Sequence, residues 1–564
     1  MGSELGVTAD STAALNFSSI SVFWIVFGNV WTVAVVAGMV YLIVNRNSPT
    51  MRLRGIGLSM SAIVFLHLYL WVCQYGLMVG TLEPPVVQYW IMGIYLPTGI
   101  ALFQASNSRF LHVAKLQKRY FRPESRLDRP SDAPGNGGLI ARFKRLNYNT
   151  RMLITVGISL AFQLSLTVLM YLISRKYHSS WGVPGTEVTG TPMEQMTEMG
   201  RGWEWWPGVL SQFFWSWVIA PYVLWKSRNI QDTQGWRIQT IGCAIANLPA
   251  TPMWLIALYV DGMAPVNKVW LPPQWICMSI FFIEIFTVFL PCWEVARHQV
   301  LRQETLNLIS QWEVKTKGSN SDLKSLASGS TVVGSLISGI KSFTGSVKSK
   351  DSSRDSILTM GALESVLERN PTPLQKYSAL NDFSGENIAF LTSVHEWKSS
   401  LPKAAWGSPA TQDAKVKELV RERFNRALHI YAEFISVRHA EFPINISSQD
   451  LKKLEAIFEG PARLLYGEER EVDPVTPFDM PIPEPAYSPT YSEFSEKASQ
   501  STISAIKDRV QFWGEVPEAF DATIFDAAEE SIKYLVLTNT WPKFLRDRRA
   551  SVDSSATLEV TEIV

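Results

Sequence analysis

Seven stretches of this chain, all between residues 20 and 296, are apolar over a membrane-crossing length, and this pattern excludes most other architectures. A transmembrane helix needs about 20 apolar residues, because roughly 30 Å of hydrocarbon offers no water to satisfy its backbone amides. Ile20–Val44, Ile56–Val79, Val86–Ser108, Met152–Ser174, Trp205–Trp225 and Ile238–Val260 contain no Asp, Glu, Lys or Arg. A seventh, Trp275–Ala296, carries only Glu284 and the near-terminal Glu294. The expectation is a seven-helix bundle over 20–297, preceded by an N-terminal segment over 1–19.

Short loops rich in Lys and Arg stay on the cytosolic side. With the N-terminus outside, the inner loops hold seventeen basic residues, from Arg46 through the cluster at Arg109–Arg151 to Arg237, and the outer segments hold four: Arg175, Lys176, Arg201 and Lys268. That asymmetry places the N-terminus outside and everything after the seventh span in the cytosol. Asn16-Phe17-Ser18 is a glycosylation sequon on the expected outer side. The four cysteines, Cys73, Cys243, Cys277 and Cys292, fall inside apolar segments with neither a disulfide framework nor a zinc spacing, so they read as small buried hydrophobes and no metal is expected. A net charge of +1 supplies no basic field for nucleic acid.

Within the spans, Pro97, Pro221, Pro249, Pro252 and Pro291 each remove a backbone donor and are expected to distort their helices. Glu284 stands out, since an ionisable group in mid-membrane is costly. Two readings stay open for it: a ligand or ion site shared with His67, or a structural hydrogen bond to a polar group such as His67, Asn29 or Asn107.

After the last span the composition changes. Within the linker 298–356, Gln299–Glu313 is polar and helix-compatible, a continuation of the seventh span, and residues 316–356 then become rich in Ser, Gly and Lys and read as a tether that cannot bury enough apolar surface to hold one conformation. Residues 357–548 return to helical periodicity: Val416, Val420, Phe424, Leu428, Tyr431 and Ile435 form one stripe ending near Arg438, Leu451, Leu454, Ile457 and Phe458 another behind the capping candidates Ser447 and Ser448, and Phe525, Ala528, Ile532 and Leu535 a third on a helix from about Phe520 to Leu537. A Pro-rich insertion at about 461–515, helical only toward Ser501–Trp513, interrupts this all-α domain, and 549–564 is a tail.

The soluble half carries a specific pattern. Phe383-Ser384-Gly385-Glu386-Asn387-Ile388-Ala389-Phe390-Leu391 is followed by Ile430-Tyr431-Ala432-Glu433-Phe434-Ile435, by Pro443-Ile444-Asn445-Ile446, and by Ile524-Phe525-Asp526-Ala527-Ala528 leading to Trp541-Pro542-Lys543-Phe544-Leu545. These four blocks, in this order, resemble regulator-of-G-protein-signalling (RGS) domains, and the whole chain resembles the seven-span RGS proteins of fungi and plants. The fold class expected is therefore all-α, a seven-transmembrane bundle followed by a cytosolic RGS helical bundle.

What the resemblance implies is a partner, the GTP-bound α subunit of a heterotrimeric G protein (Gα), whose switch loops an RGS domain holds in transition-state geometry without donating a catalytic group. By position, Glu386 and Asn387 would bond the switch backbone and Asn445 would sit beside the catalytic glutamine of Gα, while Leu535, Asn539, Thr540 and Lys543 would complete the surface. Asn539 departs from the aspartate and Lys543 from the arginine common in the family, and Leu391 stands where tryptophan is frequent. The bundle would serve as membrane anchor and sensor of an extracellular small molecule. The competing reading is a transporter, channel or receptor bundle carrying an RGS-like scaffold that does not accelerate GTP hydrolysis. No active site or cofactor of the chain's own is expected, as no catalytic triad, metal or nucleotide-cradling constellation occurs.

Overall fold

In the computed structural model the described residues are 2–46, 48–121, 148–178, 181–318, 359–399, 414–467 and 511–548, with Phe143 and Leu146. Regular structure among them is helical throughout; extended pairing is limited to an isolated bridge between Ser174 and Val183. The described residues form two compact units, the first within residues 1–113 and 148–296, the second within 114–147, 297–475 and 479–564. Residues 319–356 of the expected tether, 468–510 of the expected insertion and the tail 549–564 lie outside the described residues.

Among the described residues, six helices are long and apolar enough to cross a membrane, the mark of a multi-pass membrane protein. The first, α1 (Ser19–Val44), shows why these helices do not suit water. Its buried residues Ser21, Gly28, Val35 and Leu42 recur every seven positions, with Gly38 beside them, as a narrow seam packed on α2 (Ile56–Val79). The rest of its surface is equally apolar, with Phe23, Val26, Val30, Val33 and Val40 exposed. A helix that is apolar all round, yet buried along one seam only, needs a hydrocarbon solvent for its outer face. The third, α3 (Pro85–Phe121), runs well past the apolar stretch Val86–Ser108, and its residues from Ala114 onward belong to the second unit.

The expected fifth span, Trp205–Trp225, is not one uninterrupted α-helix. It is built from Trp206–Phe213, a π turn over Phe214–Ile219, and Ala220–Ser227. The cause is Pro221: its ring clashes with the carbonyl four residues back and it donates no amide, so the preceding turn widens. Pro291 has the same effect on the last span, where Pro272–Glu284 passes through a π turn, Ile285–Phe289, into Leu290–Gly318. Pro249 separates Trp236–Asn247 from Ala250–Tyr259. Pro97, by contrast, sits inside the unbroken α3.

The second unit is a helical bundle around an aromatic core. Phe390, Phe424, Phe434, Phe458 and Phe525 are fully buried, with Phe390 edge-on to both Phe434 and Phe525 and Phe458 stacked between Phe424 and Phe525. Such ring pairs add about 0.5–1.5 kcal/mol each beyond burial. Phe424, Leu428, Tyr431 and Ile435 of the sequence stripe are buried, while Val420 is only half-buried. That helix ends earlier than Arg438: Ala414–Ile430 closes with a π turn, Tyr431–Ile435, after which Ser436 turns extended. Ser447 caps the helix Ser448–Tyr466, its oxygen accepting from the Asp450 amide at 3.1 Å. The helix expected from Phe520 starts only at Asp526, because residues 522–525 form turns, and Gln511–Trp513 are not helical.

Candidate functional site

Glu284 is fully buried in the first unit and both its oxygens are engaged. Trp31 Nε1 donates to Oε2 at 2.5 Å, and His67 Nδ1 lies 2.8 Å from Oε1. His67 Nε2 in turn lies 3.0 Å from Thr32 Oγ1. The last span is thus tied through one carboxylate to α1 and α2. Of the two readings left open, the hydrogen bond to His67 named by the structural one is present, and each carboxylate oxygen keeps one further lone pair. Asn29 is used elsewhere, donating to Tyr75 Oη at 3.0 Å. Cys73, Cys243 and Cys277 are buried free thiols and Cys292 is half-buried. Asn16 is exposed in the turn before α1, its Oδ1 accepting from the Ser18 amide at 3.1 Å.

In the second unit the loop opening the helix Gly385–Ser399 is held by a residue to which the sequence drew no attention. Asp382 is fully buried and accepts from Lys543 Nζ at 2.8 Å, Thr540 Oγ1 at 2.8 Å and Ser384 Oγ at 2.9 Å. Lys543 is itself only 5 % exposed, so this is an ion pair inside the protein, completed by two hydroxyls. Burial first, and then the Asp382 carboxylate, push the neighbouring Tyr377 phenol well above its ordinary range. The next residue, Phe383, adopts φ 51°, a left-handed conformation rare outside glycine, and its buried ring keeps it there. The chain reverses at this point, and the Ser384 amide donates to Ser378 O at 2.9 Å.

The residues that the RGS resemblance singles out divide in two by exposure. Asn387, Thr540 and Lys543 are buried, Asn387 donating to Glu386 Oε1 at 3.3 Å and the other two holding Asp382. Glu386, Leu535 and Asn539 are half-buried and Asn445 is exposed. π turns mark all three contributing segments: Ser378–Asp382 before the Glu386 loop, Tyr431–Ile435 before the Asn445 loop, and Val536–Thr540, which contains Asn539. A π turn shifts the register of a helix by one residue and is common where side chains must be re-aimed. Pro542 follows Val536–Thr540 at the spacing at which Pro221 and Pro291 follow the π turns of the first unit, whereas no proline stands at that spacing after the other two.

One short segment, residues 117–120, touches two of those loops. Gln117 is fully buried, with Nε2 donating to Glu386 Oε2 at 3.0 Å and Oε1 accepting from the Gly385 amide at 3.1 Å. Arg119 Nη1 donates to Glu441 Oε1 at 2.7 Å, and the Tyr120 ring packs on Phe434 and Phe442 ahead of Asn445. Gly385 must be glycine for this approach, since a Cβ there would stand 3.0 Å from Gln117 Oε1 and 2.9 Å from Ala379 Cβ. The Glu386 loop and the Asn445 loop therefore border a common feature and lie at one end of the bundle. Among the described residues no group of three His, Cys, Asp or Glu side chains is placed to hold a metal.

Neither the protein-family models, nor the curated proteins, nor the solved structures yield a match to this chain.

Proposed function

We propose that this protein is a seven-span membrane protein whose cytosolic domain binds the switch regions of a GTP-loaded Gα subunit and accelerates GTP hydrolysis, ending the signal. The observation that carries the reading is the loop end of the second unit. Three separated sequence blocks contribute to it, and Asp382 ties the loop before Glu386 to the last helix through Lys543 and Thr540. A surface that works by holding a partner's mobile loops must itself be rigid, and a buried ion pair with two further hydroxyl donors supplies rigidity. Glu386, Asn445, Leu535 and Asn539 keep the exposure that a contact surface needs, while Asn387, Thr540 and Lys543 act from beneath it.

The apolar helices of the first unit would be the anchor, with Trp206–Ser227 counted as the seventh span despite its π turn. Anchoring raises the effective concentration of the domain for a membrane-bound partner without any new contact. The plasma membrane, the external N-terminus and glycosylation at Asn16 belong to the same reading.

The test is single-turnover GTP hydrolysis by a panel of Gα subunits with the full chain in lipid nanodiscs, beside Glu386→Lys and Asn445→Ala. Acceleration by the wild type and its loss in the variants is the expected result. Absence of acceleration for every Gα, with no binding to the aluminium fluoride state, would leave only a scaffold role.

A further inference from the structure

Residues 2–7 are folded into the first unit instead of trailing from α1. Ser3, Glu4 and Val7 are buried. They form a closed turn, in which the Gly6 amide donates to Ser3 O and the Val7 amide to Ser3 Oγ, both at 3.0 Å, and Thr197 Oγ1 donates to Val7 O at 3.2 Å. The Glu4 carboxyl group, fully buried, is met by neutral donors from two helices: Trp254 Nε1 at 2.8 Å and Gln88 Nε2 at 3.0 Å. Leu5 lies against Gly76 and Gly80, where an added Cβ would come within 3.0 Å of Leu5 Cδ2 and Cβ respectively. The glycines keep open the space that the leucine fills.

A buried carboxyl group with no cation on it is expensive, and a segment needed only to close the bundle would use an apolar residue there. Burial accordingly lifts the Glu4 pKa to about 8, against the pull of the Trp254 and Gln88 hydrogen bonds. Beyond Trp254 the packing is incomplete. A cavity there is lined by Tyr89, Met92, Leu96, Gln212, Trp254 and Ile276. Gln212 is 4 % exposed and its Nε2 has no hydrogen-bond partner among the described residues. A second, smaller cavity borders Leu5, Gln88 and Met92. As they stand these cavities have room for little more than water, and Glu204 and Glu83 also border them, so a ligand can enter only where residues 2–7 leave.

We propose that this cleft is a ligand site for a molecule that carries a carboxyl group beside an aliphatic one, and that residues 2–7 fill it as the chain's own stand-in. Gln88 and Trp254 recognise the carboxyl group, the Leu5 seat takes the aliphatic part, and the Gln212 amide offers a further donor to a ligand that reaches deeper. A free carboxylic acid and an acidic peptide share this chemistry, and a competitor of either kind must unseat the segment. The inference is independent of the Gα reading.

The test uses the full chain in nanodiscs. In the wild type, hydrogen exchange at the Gly6 and Val7 amides is followed on adding octanoate, or the hexapeptide of residues 2–7. Exchange at least tenfold faster with octanoate assigns a small carboxylic acid, and with the hexapeptide alone assigns a peptide. No change with either overturns the proposal. In parallel, the fluorescent hexapeptide is titrated onto a chain carrying Glu4→Ala and Leu5→Ser, which vacates the cleft. Saturable binding is expected, at least tenfold tighter than to the wild type and lost on adding Gln88→Leu and Trp254→Phe. Equal binding of a hexapeptide with glutamine in place of its glutamate would overturn carboxyl recognition.

Discussion

Gln117 engages Glu386 and its neighbour at once: the amide nitrogen donates to Glu386 Oε2 at 3.0 Å and the amide oxygen accepts from the Gly385 N–H at 3.1 Å. Under the proposed function, a Gα subunit that uses Glu386 must break the first of these bonds. One hydrogen bond is worth about 1 kcal/mol net, or roughly fivefold in an equilibrium. Gln117→Ala in the full chain is therefore expected to raise GTPase acceleration at sub-saturating concentration by about fivefold, read by single-turnover hydrolysis. An unchanged or reduced rate would mean that Gln117 supports the surface instead of competing for it.

Lys543 and Asp382 form a pair that is costly to break on one side only. Removing one partner of a buried ion pair typically costs about 3–5 kcal/mol, because the other charge is left without compensation. Lys543→Met is expected to lower the unfolding midpoint of the second unit more than the double change Lys543→Met with Asp382→Leu does. Thermal unfolding of the full chain, followed by hydrogen exchange at residues 384–399, gives the comparison. If the single and double variants are equally destabilised, the pair is not the element that holds the loop.

Glu284 links three helices through Trp31 and His67. Glu284→Gln keeps the shape and one acceptor but loses charge-assisted bonding, so a loss of about 1–3 kcal/mol is expected in the stability of the bundle in nanodiscs. A thermal shift should register it while GTPase acceleration at saturating concentration stays within about twofold. A stable variant with altered ion flux would favour the transport reading.

Glu4 sets a pH dependence of opposite sign to that of most carboxylates. Its pKa is raised from 4.5 to about 8 when the segment is seated, so the seated form binds the extra proton. Seating is fully favourable below about pH 4.5, weakens through the interval, and is weakest once pH passes about 8. The groups facing it are neutral Gln88 and Trp254, the phenols of Tyr69 and Tyr177, and Glu83, whose charge adds to the effect. Protection of the Gly6 and Val7 amides, corrected for intrinsic exchange, should fall between pH 5 and pH 8, and Glu4→Gln should flatten the profile. A flat wild-type profile would show that Glu4 does not titrate in this range.

The amino-acid sequence by itself determined the helical class and the apolar helices of membrane-crossing length, because both are periodic or compositional properties that need no long-range contact. It also marked Pro221 and Pro291, whose missing amides widen the turns before them, since that effect is local. It supplied the blocks around Glu386, Asn445 and Asn539, but not how those blocks are held. Asp382, Gln117 and Glu4 were invisible in it: each is an ordinary polar residue in an ordinary context. Only the tertiary structure decided that Asp382 meets a lysine more than 150 positions away, that Gln117 covers Glu386, and that Glu4 lies buried under Trp254. The physical reason is the same in each case: burial gives a polar group its significance, and burial is decided by which distant segments fold over it.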